Sequence, residues 1–180
     1  MIGRKDEFAL VLDYLPHGYP LSGKMRPVVQ AIGEKYFSLL ELAPIRGADF
    51  TLKEKVYIGP EKRDKIYYII GKLKNNLITK NAKIQLQEFI ADKVGEQEEK
   101  YVSFFNNSQA LNTRLHQIEL LPGFGKKHSM EIIQEREEKK FESFEDLKSR
   151  IKGIPDPKIA VEKRILEEIL ERPRQILFVN

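Results

Sequence analysis

The sequence predicts an α+β protein, a small five-stranded β-barrel followed by an all-α half. Three observations carry this. Up to Leu73, short runs rich in β-branched and aromatic residues alternate with turns built from Gly, Pro and Asp. Beyond Lys74 the apolar spacing changes to the 3.6-residue period of a helix. Near the C-terminus, a glycine-bounded turn at Gly123 has a partner at Gly153 in an equivalent place.

Strand by strand, Phe8–Leu12 reads as a buried strand that Tyr14 and Leu15 continue. A long loop follows, with His17, Tyr19, Lys24 and Arg26 as a patch suited to nucleic acid. Val28–Ile32 and Tyr36–Leu42 flank Gly33-Glu34-Lys35, a hairpin signal. Lys55–Ile58 and Lys65–Ile70 flank a second turn that carries Lys62 and Arg63. Five short strands at this spacing suit a closed barrel of the oligonucleotide/oligosaccharide-binding (OB) type, with an SH3-like barrel as the rival. Within the adjacent pairs Tyr36/Phe37 and Tyr67/Tyr68, one member of each points outward. The expected domains are residues 1–75 for the barrel, 76–110 for connecting helices and 111–180 for the C-terminal module.

Composition narrows the functions. The chain has 180 residues, 41% hydrophobic and 32% charged, enough to build a core. It contains no cysteine, and His17, His116 and His128 lie far apart, so neither a metal site nor a cofactor is expected. No 18-residue apolar run spans a membrane, and Met1–Glu7 lacks the apolar stretch of a signal peptide, which points to the cytoplasm. With a net charge of only +4, any nucleic-acid surface has to come from the local placement of charge.

In the connecting region, Ala82, Leu86, Phe89, Ile90 and Val94 share one helical face, with Gly95 as the expected stop. Tyr101, Val102, Phe104 and Phe105 mark a second helix ending near Asn107. Residues 112–171 then read as helix, hairpin, helix, turn, helix, hairpin, helix, with Leu115, Ile118 and Leu121 lining the first. Its hairpin is Leu121-Pro122-Gly123-Phe124-Gly125, followed directly by Lys126 and Lys127. Two glycines around one apolar residue allow a tight turn that ends at a helix N-terminus, where unpaired amides and the dipole favour an anion. Lys126 and Lys127 oppose that dipole unless an anion arrives. Phe124 is expected to plug the turn into the core, and Arg114 to lie near it.

This stretch resembles the helix-hairpin-helix motif. In the second unit Ser143 starts a capped helix with Asp146, and Ile151-Lys152-Gly153-Ile154-Pro155-Asp156-Pro157 takes the hairpin's place. Pro155 has no N–H to donate and Asp156 reads as an N-cap, so this unit reads as a structural copy. Over residues 111–171 the run resembles the duplicated helix-hairpin-helix domain of bacterial competence DNA receptors and many repair proteins. With Gly33–Leu42, Val56–Gly59 and Leu121–Gly125 together, the chain resembles an archaeal family of small uncharacterised proteins. That family pairs an OB-like domain with a helix-hairpin-helix tail and is described as predicted RNA-binding.

The expected function is therefore sequence-nonspecific binding of nucleic acid, RNA favoured over DNA, through Gly123, Phe124, Gly125, Lys126, Lys127, Arg114, Lys24 and Arg26. One rival is a protein-interaction adaptor in a ribosomal or repair complex. The weaker rival is a base-excision lyase using Lys126 or Lys127 with Asp146. Asp146 is already accounted for by the helix cap, so no enzymatic activity is expected.

Overall fold

The computed structural model describes residues 5–21, 23 and 25–179. It is an α+β fold in two compact units, Met1–Glu88 with Ile169–Asn180, and Phe89–Glu168. No helix among the described residues is long and apolar enough to cross a membrane.

The first unit holds five antiparallel strands: β1 (Phe8–Leu15), β2 (Val28–Gly33), β3 (Leu39–Pro44), β4 (Lys55–Tyr57) and β5 (Ile66–Lys72). All five match runs legible in the sequence. They hydrogen-bond in the order β4-β1-β2-β3-β5. Register shifts at Val11/Asp13 in β1 and at Glu41/Leu42 and Ala43/Pro44 in β3 bend the sheet. One face gathers Ala9, Val11, Ala31, Leu42, Val56 and Ile66 into a core. β4 and β5 are the two ends of the ladder and do not pair with each other. The sheet is therefore a curled half-barrel, where the sequence suggested a closed ring.

The β2–β3 turn is longer than its hairpin signal. Tyr36 and Phe37 fall in it, Phe37 buried and left-handed at φ 55°, so they are turn residues and not a strand pair. Asp6 organises this turn: its Oδ1 accepts from the amides of Lys35 at 2.8 Å and Tyr36 at 2.9 Å. Gly33 makes room for that carboxylate, since a Cβ there would lie 1.9 Å from Asp6 Oδ2. Gln30 is fully buried at the centre of β2. Its Nε2 donates to Leu77 O at 2.7 Å and its Oε1 accepts from Thr79 N at 3.1 Å, which fixes the chain leading into α1 (Lys80–Glu96).

The second unit contains α2 (Glu98–Asn107), a small β6–β7 ribbon (Ala110–Asn112, Leu115–His116), α3 (Lys126–Glu138), α4 (Phe144–Arg150) and most of α5 (Pro157–Glu171). α1 runs through Gly95 to Glu96, past the expected stop. Gly95 instead faces Lys158, whose Cε would lie 3.7 Å from a Cβ there. The helix expected around Leu115–Leu121 is replaced by β7 and a single 3-10 turn, Gln117–Leu120. His116 caps that turn and Pro122 follows just past its C-cap Leu121, leaving too few residues to nucleate an α-helix.

Candidate functional site

Leu121 leaves the 3-10 turn, and Phe124 N donates back to Leu121 O at 3.1 Å, closing the hairpin. Gly123, at φ 82°, takes the left-handed conformation that a side chain would resist. Gly125 is the N-cap of α3 and has no side chain to satisfy the helix start. The first paired amide of α3 is that of Ser129, donating to Gly125 O at 3.0 Å. The amides of Lys126, Lys127 and His128 consequently meet no acceptor among the described residues. The first turn carries no acidic residue, and exposed Lys126 and Lys127 form no ion pair with the described residues. Open space surrounds the position where a Gly125 side chain would be.

Phe124 holds this turn in place. It is buried, with ring centroids 6.0 Å from Phe105 and 5.9 Å from His128. His128 also packs inward, as its place on α3 suggests. The second turn has the same backbone signature, Gly153 at φ 77°, but opposite chemistry. Asp156 Oδ1 accepts from Ile159 N at 3.2 Å, its Oδ2 pairs with Lys148 at 3.3 Å, and Pro157 opens α5. One turn thus presents bare amides beside two lysines, while the other carries a carboxylate at its own helix start.

The remaining predicted residues are scattered. Arg114 lies in the β6–β7 turn, where its amide donates to Asn112 Oδ1 at 2.8 Å; its guanidinium makes no hydrogen bond or ion pair with the described residues. Arg26 is exposed just before β2, in the other unit, and Lys24 lies outside the described residues. Tyr19 is committed elsewhere: it donates to Glu41 at 3.0 Å and accepts from Gln30 at 3.2 Å, and burial pushes its pKa up to about 12. His116 is half-buried. Asp146, the carboxylate a lyase would need, accepts from Glu142 N at 3.0 Å and pairs with Arg150 at 3.4 Å. No cluster of His, Asp or Glu able to hold a metal occurs among the described residues. The organising role of Asp6 was not legible, because it rests on an approach to Gly33 across the sheet.

A family model described as "Protein of unknown function (DUF655)" matches residues 5–180. The chain belongs to the DUF655 family. A relative, "Uncharacterized protein MJ0038" of Methanocaldococcus jannaschii, is 44% identical over 177 residues, covering 97% of this chain and 80% of the relative. The crystal structure of Af1531 from Archaeoglobus fulgidus, carrying the same DUF655 designation, is similar with a TM-score of 0.83. It is 39% identical and covers 97% of this chain and 100% of its own. The expected kinship with an archaeal family of uncharacterised proteins therefore holds.

Proposed function

We propose that this DUF655 protein is a cytoplasmic nucleic-acid-binding protein, RNA favoured over DNA, that grips the phosphate backbone without reading sequence and catalyses no reaction. The observation that carries this reading is the start of α3. Three consecutive amides without acceptors stand at the positive end of a 13-residue helix, flanked by two unpaired lysines. An anion resolves both local conflicts, satisfying the amides and offsetting the charge that otherwise opposes the dipole. Contacts of this kind go to phosphate oxygens and leave base edges untouched, so affinity varies little with sequence.

A tandem helix-hairpin-helix reading of the second unit draws support from left-handed glycines at Gly123 and Gly153, each leading into a helix start. An OB-like reading of the half-barrel draws support from β1, which pairs with both β2 and β4. A lyase is disfavoured because Asp146 is held by Arg150 and the α4 start.

The test is fluorescence anisotropy with labelled RNA and DNA, single- and double-stranded, titrated at several salt concentrations. The K126E/K127E double variant should weaken binding to all sequences alike and lower the salt slope by roughly two. Unchanged affinity and slope would remove the hairpin from the interface. Binding that hardly responds to salt would favour a protein-interaction adaptor instead.

A further inference from the structure

The half-barrel has its own surface, away from the hairpin motif in sequence. Because β4 and β5 do not pair, the inner face of the sheet is left open along that seam. Ile69 shows the consequence: it pairs in register with the buried core residue Leu42 yet is 38% exposed. A hollow of about 610 Å³ lies there, with an apolar middle of Leu40, Ile58, Pro60 and Ile69. That volume is in the range of small-ligand sites, about 300–1,000 Å³.

The hollow is one of three that share walls. On one side it shares Lys5, Asp6 and Glu7 with a hollow that continues to Lys35 and Tyr36. On the other it shares Pro60 and Arg63 with a hollow that continues to Ile45 and Tyr67. Each end therefore combines an aromatic ring with a cation, and the centre is apolar. Lys35 Nζ sits 5.3 Å from the Tyr36 ring centroid, and Tyr67 is 73% exposed.

Arg63 is the most informative residue. Its Nε donates to Gly59 O at 2.8 Å, which orients the guanidinium, while its two Nη groups make no hydrogen bond or ion pair with the described residues. Lys65, its neighbour in the sequence, is bound to Glu54 and to Asp49 O, and its bond holds the Glu54 carboxyl below its ordinary pKa. Lys65 is a structural cation, whereas Arg63 is presented in the groove. The acidic lining groups are Asp6 and Glu7 at one end and Glu61 and Glu34 in the outer hollows. Two of these are engaged within the protein, Glu34 with Lys55 and Asp6 Oδ1 with the Lys35 and Tyr36 amides.

We infer that this seam binds single-stranded nucleic acid. One base lies on the apolar middle, a phosphate is forked by Arg63, and flanking bases stack on Tyr67 and Tyr36. Two features of single-strand grooves are present, an aromatic face for a base and a cation for the backbone at each end, while the four lining carboxylates against Lys5, Lys35 and Arg63 confine phosphate contact to those ends. A duplex keeps its bases stacked inside and cannot use such a surface, so the seam prefers single strands. This rests on the nucleic-acid reading above but uses residues separate from the hairpin.

The experiment is anisotropy with a labelled ten-nucleotide single-stranded RNA of mixed sequence, using the full chain. Tyr67→Ala should weaken binding about tenfold, and Arg63→Gln should lower both affinity and the salt slope by roughly one. The circular dichroism melt of Tyr67→Ala should be unchanged, since that side chain is exposed; Arg63→Gln gives up the bond to Gly59 O, so its affinity is compared at a temperature where its melt shows it fully folded. Loss in the seam variants with K126E/K127E unaffected would keep this inference and overturn the hairpin reading. Loss only in K126E/K127E would do the reverse. A wild-type chain that binds no single strand at low salt would overturn the seam outright, and the hairpin would then be judged on the duplex.

Discussion

Gly123 and Pro155 are in contact: a Cβ on Gly123 would fall 2.8 Å from Pro155 Cγ. The two glycine turns therefore meet where one carries no side chain and the other has a ring. Pro155, which has no N–H to donate, serves as a packing surface for the Gly123 turn.

Substituting Gly123→Ala adds two penalties. Alanine at φ 82° is strained by about 1–2 kcal/mol, and the methyl group meets Pro155. The variant should be less stable by about 2 kcal/mol or more in urea denaturation. A change under about 0.5 kcal/mol would mean the turn relaxes freely and is not held in the observed conformation.

Phe124 is 4% exposed and packs on Phe105, so it supports the turn from inside. Phe124→Ala should cost about 3–5 kcal/mol of stability. A variant with full stability and weakened RNA binding would identify Phe124 as a stacking surface instead.

His116 predicts a pH dependence. Its Nδ1 accepts from Ile118 N at 3.2 Å while its own amide donates to Glu119 at 2.8 Å, capping the turn that precedes the hairpin. Burial, and then the nearby Arg136, hold its pKa below the ordinary 6.5. The unfolded chain takes up this proton near pH 6.5, the folded chain only at lower pH. Stability is therefore fully present above about 6.5 and falls as pH drops toward the folded value. Thermal melts between pH 7.5 and 5 should show that decline, and His116→Asn, which can still cap, should flatten it. An identical slope in the variant would place the titration elsewhere.

Much of the fold was legible because it is local. Each of the five strands overlaps its own short run of β-branched and aromatic residues, and Ser143 capped α4 as its spacing with Asp146 required, its Oγ accepting from Asp146 N at 3.0 Å. The Gly123 turn was legible for the same reason: a left-handed corner, an uncapped helix start and two lysines are all set within seven residues. The Leu115–Leu121 helix misled because its apolar spacing was sound while its room was not, being closed off by the His116 cap and Pro122.

By itself, then, the sequence determined the strand runs, the helix faces and the two glycine corners, since these depend on backbone preferences and side-chain period over a few residues. Only the tertiary structure decided that Gln30 ties a strand to Leu77 and Thr79, that Asp6 reaches Lys35 and Tyr36 past Gly33, and that β4 and β5 stay apart. The first two join groups 29 to 49 residues apart, where buried polar atoms must find partners, and the third follows from the curl of the sheet, which sets which edges meet.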